Sequence, residues 1–230
     1  RGDTLLADNL SLINQRPASQ IVGSNIYLAM LSASGAVQWM VGNEPGTIPG
    51  ANDAGLAVSV DDAGKVFISG LFSGNQSVLG TETMGTYDLE EGFFACYNAN
   101  GSFNWARAIR GSNPLSNTYD LVNQVITDNS GNLYIGGNYS GNELNFDSLA
   151  IFSTPNNPNG LKCFLFKLNA GDGSIIWSKI YGEGASAGLA SMALNATKNQ
   201  LAACINYVGS VDFDGLNPPS STDLNGTLLL

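Results

Sequence analysis

Any chemistry in this chain has to come from carboxylates. Its 230 residues hold 19 Asp and Glu, 9 Lys and Arg, three Cys and no His. Without imidazole the usual general base near neutral pH is missing, and no Gly-x-Ser-x-Gly elbow marks a nucleophile. Two acids roughly 5–10 Å apart could hydrolyse a glycoside. Asp61-Asp62, Glu90-Glu91 and Asp212/Asp214 are neighbouring pairs, although the first and last fall on turns or strand ends. Asp128, Ser130 and Asn132 set oxygen atoms at alternate positions, as a calcium loop does at its start. The closing acid is absent, with Asn138 in that region, and Asp, Asn, Ser and Gly are equally the residues of a plain hairpin turn. Cys96, Cys163 and Cys204 have neither CxxC spacing nor a His neighbour, so they read as small buried apolar residues. No cofactor or metal is implied.

Recognition has more candidates than catalysis. Tyr87 and Asp88 share one polar stretch, followed by Glu90 and Glu91, and Tyr119 and Asp120 share another. An aromatic plate beside a carboxylate suits a sugar or a peptide, while a Tyr at a loop end equally well packs on the sheet below it. Arg1-Gly2-Asp3 spells an adhesion tripeptide but aligns with Ser-Gly-Asn elsewhere in the chain, as a linker variant.

Composition excludes several classes. A formal net charge of −10 disfavours nucleic-acid backbones and anionic membranes. No run approaches the roughly 18 apolar residues of a membrane-spanning helix. The chain starts at Arg1 without Met or a signal-like segment, which reads as something other than a native translation start. Only 12% of residues are charged and 43% are apolar, with Gly, Asn and Ser carrying the polarity, a balance that suits a turn-rich β protein.

The elements that must position these residues repeat. Gly92–Trp105 reads as an apolar strand, a tight Asn98-Ala99-Asn100-Gly101 turn and a second strand ending on Trp. Ile26–Trp39 and Phe164–Trp177 repeat it, so Trp39, Trp105 and Trp177, 66 and 72 residues apart, occupy one structural place. A second hairpin follows each Trp, at Leu56–Gly74, Leu121–Gly141 and Leu189–Gly209. We denote the strands of this second hairpin A and B, and those of the tryptophan hairpin C and D. Four antiparallel strands every ~70 residues predict an all-β chain, a β-propeller segment of four-stranded antiparallel blades. Two blades are complete (55–110 and 121–181) and two are partial (1–42 and 189–230). Asp8-Asn9 aligns with the end of Asn145–Ser148 and of Asp212–Gly215, and Thr227–Leu230 falls in a last strand C. Propellers close with 4–8 blades, so this count predicts a fragment of a longer chain.

Asp128–Gly137 (DNSGNLYIGG), Phe146 and Phe94–Trp105 (FACYNANGSFNW) resemble the bacterial seven-bladed β-propeller repeat family. The resemblance implies a secreted or cell-surface protein of Bacteroidetes type, exported by a dedicated outer-membrane (type IX) system. It also implies an adhesion or scaffold role toward surface proteins or glycans. Asp3-Thr4-Leu5 and Asp147-Ser148-Leu149 match the O-glycosylation pattern of such bacteria, at Thr4 and Ser148. The stretch LNAGDGSIIW also looks like the tryptophan repeat of quinoprotein propellers, whose vicinal cysteine pair has no counterpart here.

The short turns all fall at A–B or C–D. The long connections are all B–C (Ser73–Glu91, Gly141–Leu161, Gly209–Asn225) or D–A (Gly42–Ala54, Arg110–Asp120, Gly182–Gly188). In an antiparallel sheet this puts all added length on one face, where recognition usually sits. The expectation is a non-enzymatic surface module partnered by the rest of its own chain, surface proteins or glycans. The alternatives are a carbohydrate-active enzyme using loop carboxylates and a quinoprotein-like propeller.

Overall fold

The structure is a computed structural model that describes residues 4–13, 23–45, 48, 51–86, 90–111, 120–147, 149–153, 160–183, 186–216 and 220–229. Those residues form antiparallel sheets and no α-helix. In chain order the strands are β1 (Thr4–Ala7), β2 (Leu10–Ile13), β3 (Tyr27–Leu31), β4 (Val37–Gly42), β5 (Glu44–Pro45), β6 (Ala54–Val60) and β7 (Val66–Ser73). Next come β8 (Gln76–Leu79), β9 (Glu82–Gly85), β10 (Glu90–Tyr97), β11 (Phe103–Gly111), β12 (Leu121–Thr127), β13 (Asn132–Tyr139), β14 (Glu143–Phe146) and β15 (Leu149–Ser153). The last are β16 (Lys162–Asn169), β17 (Ile175–Tyr181), β18 (Ser186–Leu194), β19 (Leu201–Gly209) and β20 (Ser221–Leu229).

The repeat organises the pairing. β6-β7-β10-β11 and β12-β13-β16-β17 each run A-B-C-D as antiparallel meanders, β3-β4 supplies a C and a D, and β18-β19-β20 an A, B and C. Register irregularities recur at the same two places. One falls in strand A between Gly55/Ala57, Val122/Gln124 and Leu189/Ser191. The other falls in strand C at Met30/Leu31, Cys96/Tyr97 and Lys167/Leu168. Such irregularities sharpen local twist. Those in strand A align Gly55 with Val122 and Leu189, two residues away from the match that apolar character suggests between Leu56 and Leu121.

An Asp carboxylate closes the A–B turns of the two complete repeats. In the A–B turn of the third repeat, Asp128 Oδ1 accepts the amides of Ser130 (2.7 Å) and Asn132 (3.1 Å), with Asn129 and Gly131 at positive φ. In the second repeat, Asp61 Oδ1 accepts those of Ala63 (3.0 Å) and Lys65 (2.8 Å). The alternating oxygens of Asp128–Asn132 thus close a turn on themselves. Among the described residues no group of three or more acidic or thiol side chains is placed to hold a metal.

Central strands are apolar on both sides, and alternate side chains enter different cores. Phe93 and Ala95 join a cluster with Ile26, Leu28, Trp39 and Val41, whereas Phe94 and Cys96 join Val122, Val125, Phe164 and Phe166. Cys163 and Leu165 of β16 in turn meet Leu189, Met192, Ile205 and Tyr207. Each sheet is therefore glued face to face with the next. Two of the tryptophans keep equivalent neighbours: Trp105 packs on Phe67 and Trp177 on Tyr134, two residues at matching places in strand B. Gly70 and Gly137 also match. A Cβ on either would lie 1.9 or 2.0 Å from a carbonyl oxygen of strand A, so only glycine lets the A and B strands approach.

Phe94 is wholly buried with its ring 5.8 Å from Trp105 and 5.6 Å from Phe146. Phe94→Ala is expected to cost about 3–5 kcal/mol in urea unfolding. Burial also pushes the Cys163 thiol and the Tyr97 phenol each up to about 12. The unfolded chain ionises these groups from about pH 8.5 to 10 and so binds fewer protons than the folded one. Their stabilisation is complete below that range and is lost as the pH climbs toward 12. The urea midpoint is expected to fall between pH 8 and 11, and to fall less in Cys163→Ala.

Candidate functional site

The face carrying the long connections is built from the ends of strands B, C and D and from small hairpins inside the B–C connections. β1–β2, β8–β9 and β14–β15 are such hairpins, and Phe213 bridges Leu216 at the matching place in the last repeat. Their tips turn through a left-handed residue at one position: Asp8 (φ 51°), Gly80 (φ 58°), Asp147 (φ 53°) and Asp214 (φ 54°). Asp tolerates this conformation better than most side chains, and Gly has no penalty there.

Two of the small hairpins add to the preceding D strand or to the strand just beyond it, whereas the Asp8 tip of β1–β2 accepts the Val37 amide (2.7 Å) of β4 in its own repeat. β14 pairs with β11 at Ile109↔Phe146, Arg110↔Asn145 and Gly111↔Leu144. β8 pairs with β5, just beyond β4. An edge strand that would stand open is thereby paired. The tip residue locks the contact. Asp147 donates its amide to Ala108 O (2.9 Å), accepts the Ala108 amide at Oδ1 (3.0 Å), and lies 3.4 Å from Arg107 Nε. Arg110 ties the same tip to its own sheet, donating to Asp147 O and to Gly85 O. In the next repeat Asp214 accepts from Lys179 Nζ (2.9 Å) and from the Tyr181 hydroxyl (3.0 Å). The bond from Lys179 holds the Asp214 carboxyl below the usual range, while burial and then that same carboxylate raise the Tyr181 phenol.

A second set of ties sits deeper. A residue at or shortly before the start of strand C gives its carbonyl to an amide at the start of the following strand A. The pairs are Ser24 O with Asp53 N (3.0 Å), Glu90 O with Asp120 N (3.2 Å) and Leu161 O with Ala187 N (2.8 Å). Two of these positions are buried carboxylates that also hold strand B. Asp53 accepts the Ser73 amide (3.1 Å) and the Ser77 hydroxyl (3.1 Å). Asp120 accepts the Ser140 amide (3.0 Å) and that of Gly111. Close by, wholly buried Lys162 donates to Gly141 O and Gly160 O (both 2.9 Å) and lies 5.6 Å from the Tyr139 ring centre. Burial lowers its pKa against the pull of Glu183 and Asp120. Glu91 holds the matching place one repeat earlier and is also wholly buried.

Of the residues singled out for recognition, Tyr87, Asp88 and Tyr119 lie outside the described residues, as does Ser148. Thr4 is exposed at the start of β1. Asp120 has no exposed surface, and its carboxylate is occupied by main-chain amides on either side, the position of a latch between strands. Burial raises the Glu90 carboxyl. One concave part of this face is a cleft of about 380 Å3 lined by Tyr181, Glu183, Ser210, Asp212 and Asp214. Asp212 there accepts the Gly215 amide (2.6 Å). No protein-family model matches the chain and no curated protein matches it.

Asp120→Ala leaves two buried amides without an acceptor and is expected to lower unfolding stability by about 2–4 kcal/mol. Asp214→Ala removes an ion pair whose members are about half exposed, and is expected to cost at most about 1 kcal/mol. Equal losses in urea titrations would contradict the division between inner latch and outer clamp.

Proposed function

We propose that the chain is a run of β-propeller blades acting as a rigid, non-enzymatic recognition scaffold on a secreted or cell-surface protein. The amide–carbonyl bond that recurs at three successive sheet junctions carries this reading. Ser24–Asp53, Glu90–Asp120 and Leu161–Ala187 make the same bond at the same register, which is what one repeated rotation of sheet upon sheet requires. The strand order A-B-C-D, the recurring irregularities and the shared place of Trp105 and Trp177 support it further. An experimental structure tests the frame. Successive repeats related by one rotation about a common axis would support the propeller, and sheets stacked without that rotation would remove it.

The scaffold role rests on how the carboxylates are used. Asp53 and Asp120 latch strands, Asp61 and Asp128 close turns, and Asp147 and Asp214 clamp neighbouring sheets. A glycosidase needs one carboxyl kept protonated near neutral pH opposite an ionised one. Asp128 and Asp214 both sit below the usual range. In Asp128, burial pulls the carboxyl up, but bonds from the Asn132 side chain and the Ser130 and Asn132 amides outweigh it. The face with the long connections is where surface proteins or glycans would be held, by the exposed polar rim of the cleft beside Tyr181. On a glycan array the chain is expected to bind without releasing reducing sugar. Sugar release that disappears in Glu183→Gln/Asp212→Asn would replace the scaffold reading with the carbohydrate-active one.

A further inference from the structure

Two surfaces meet in one groove at the start of the described structure. The first is the edge of β3. Its counterparts β10 and β16 are each paired on both sides, β10 by β7 and β11, β16 by β13 and β17, whereas among the described residues β3 pairs only with β4. The second is the face of β6. Val58 is 60% exposed and Val60 48%, yet at the matching places on β12 Val125 is 4% exposed and Thr127 6%. Met192, which corresponds to Val58 on β18, is buried as well. The difference lies in what stands in front. β12 packs against β6 and β7, and β18 against β12 and β13, in each case the A and B strands of the repeat before. In front of β6, among the described residues, stand only a C and a D strand. The groove left between them has a volume of about 310 Å3 and is lined by Ile26, Leu28, Leu56, Val58 and Ile68.

We infer that this groove is the docking site for an antiparallel β-hairpin with the chemistry of this chain's own A–B pairs. One strand adds to the free edge of β3 by main-chain hydrogen bonds, and the other lays apolar side chains over Val58 and Val60. The partner is specified by backbone direction and by period-two apolar character, the usual terms of strand addition. It must present small residues where its two strands approach, as Gly137 does in β13. The inference rests on the propeller reading for the angle of approach, but the open edge and the exposed valines are independent of it.

The test extends the full chain by a duplicate of residues 120–139 placed ahead of residue 1. Docking is expected to raise the melting temperature by several degrees, to lower binding of an apolar-surface dye, and to slow exchange of the Tyr27–Leu31 amides about tenfold or more. Val58→Lys/Val60→Lys is the control. In the unextended chain both side chains face solvent, so the substitution is expected to leave the melting temperature within about 1 °C; in the extended chain it is expected to abolish the gain. An extension that changes none of these readouts overturns the inference. So does a lysine pair that destabilises the unextended chain equally. So does an unextended chain that sediments as a dimer and turns monomeric with the lysine pair, since a second copy would then be the occupant. An extended chain whose sheets still share one axis while β3 stays unprotected would remove this inference and leave the propeller intact.

Discussion

A β-sheet with apolar residues on both sides cannot stand in water by itself, and every other feature of this chain follows from that constraint. Phe93 and Phe94 are adjacent in β10, point to opposite sides, and are both wholly buried in different cores. Each sheet supplies half of two cores and completes neither. Stability in such an array is a sum of sheet and junction contributions, and the junctions are where the sequence must be specific.

The polar residues serve the same requirement. Stacking sheets brings main-chain groups at strand ends out of contact with water, and these need partners. Asp53 and Asp120 supply them where A meets B, and the small hairpins supply them along the outer edges. Many of the chain's Asp residues are explicable on these terms. Asp53, Asp61, Asp120, Asp128 and Asp147 all hold backbone amides.

The repeat was legible because strands A to D carry long apolar runs, compact turns and a Trp that recurs at one place. The all-β character and the positions of these strands could be read directly. The small hairpins could not. β8–β9 and β14–β15 have strands of four or five residues, too short for a period to stand out, and the connections that hold them read simply as loops. The match of Asp8, Asp147 and Asp214 was visible, but not its cause, which is a left-handed tip. Asp120 read as a ligand residue beside Tyr119 because sequence neighbours were all that could be compared. Its partners are the amides of Gly111 and Ser140, on other strands. Burial of that kind is decided by which sheet lies in front, a long-range fact that local composition does not carry.

The outer clamps differ from junction to junction in a correlated way. Two residues past Trp105 and Trp177 stand Arg107 and Lys179, each facing the tip carboxylate of the hairpin that follows, Asp147 or Asp214. Two residues past Trp39 stands Val41, and the next hairpin tip, Gly80, carries no carboxylate and lies instead against Phe103 of β11. Cation and anion are present together or missing together. The repeats are thus not interchangeable parts: a tip without a carboxylate facing Arg107 would leave a cation alone, and docking Asp147 beside Val41 would press a carboxylate on an apolar edge. Sheets alike enough to stack in the wrong order carry, in this one pair, a code for who stands next to whom.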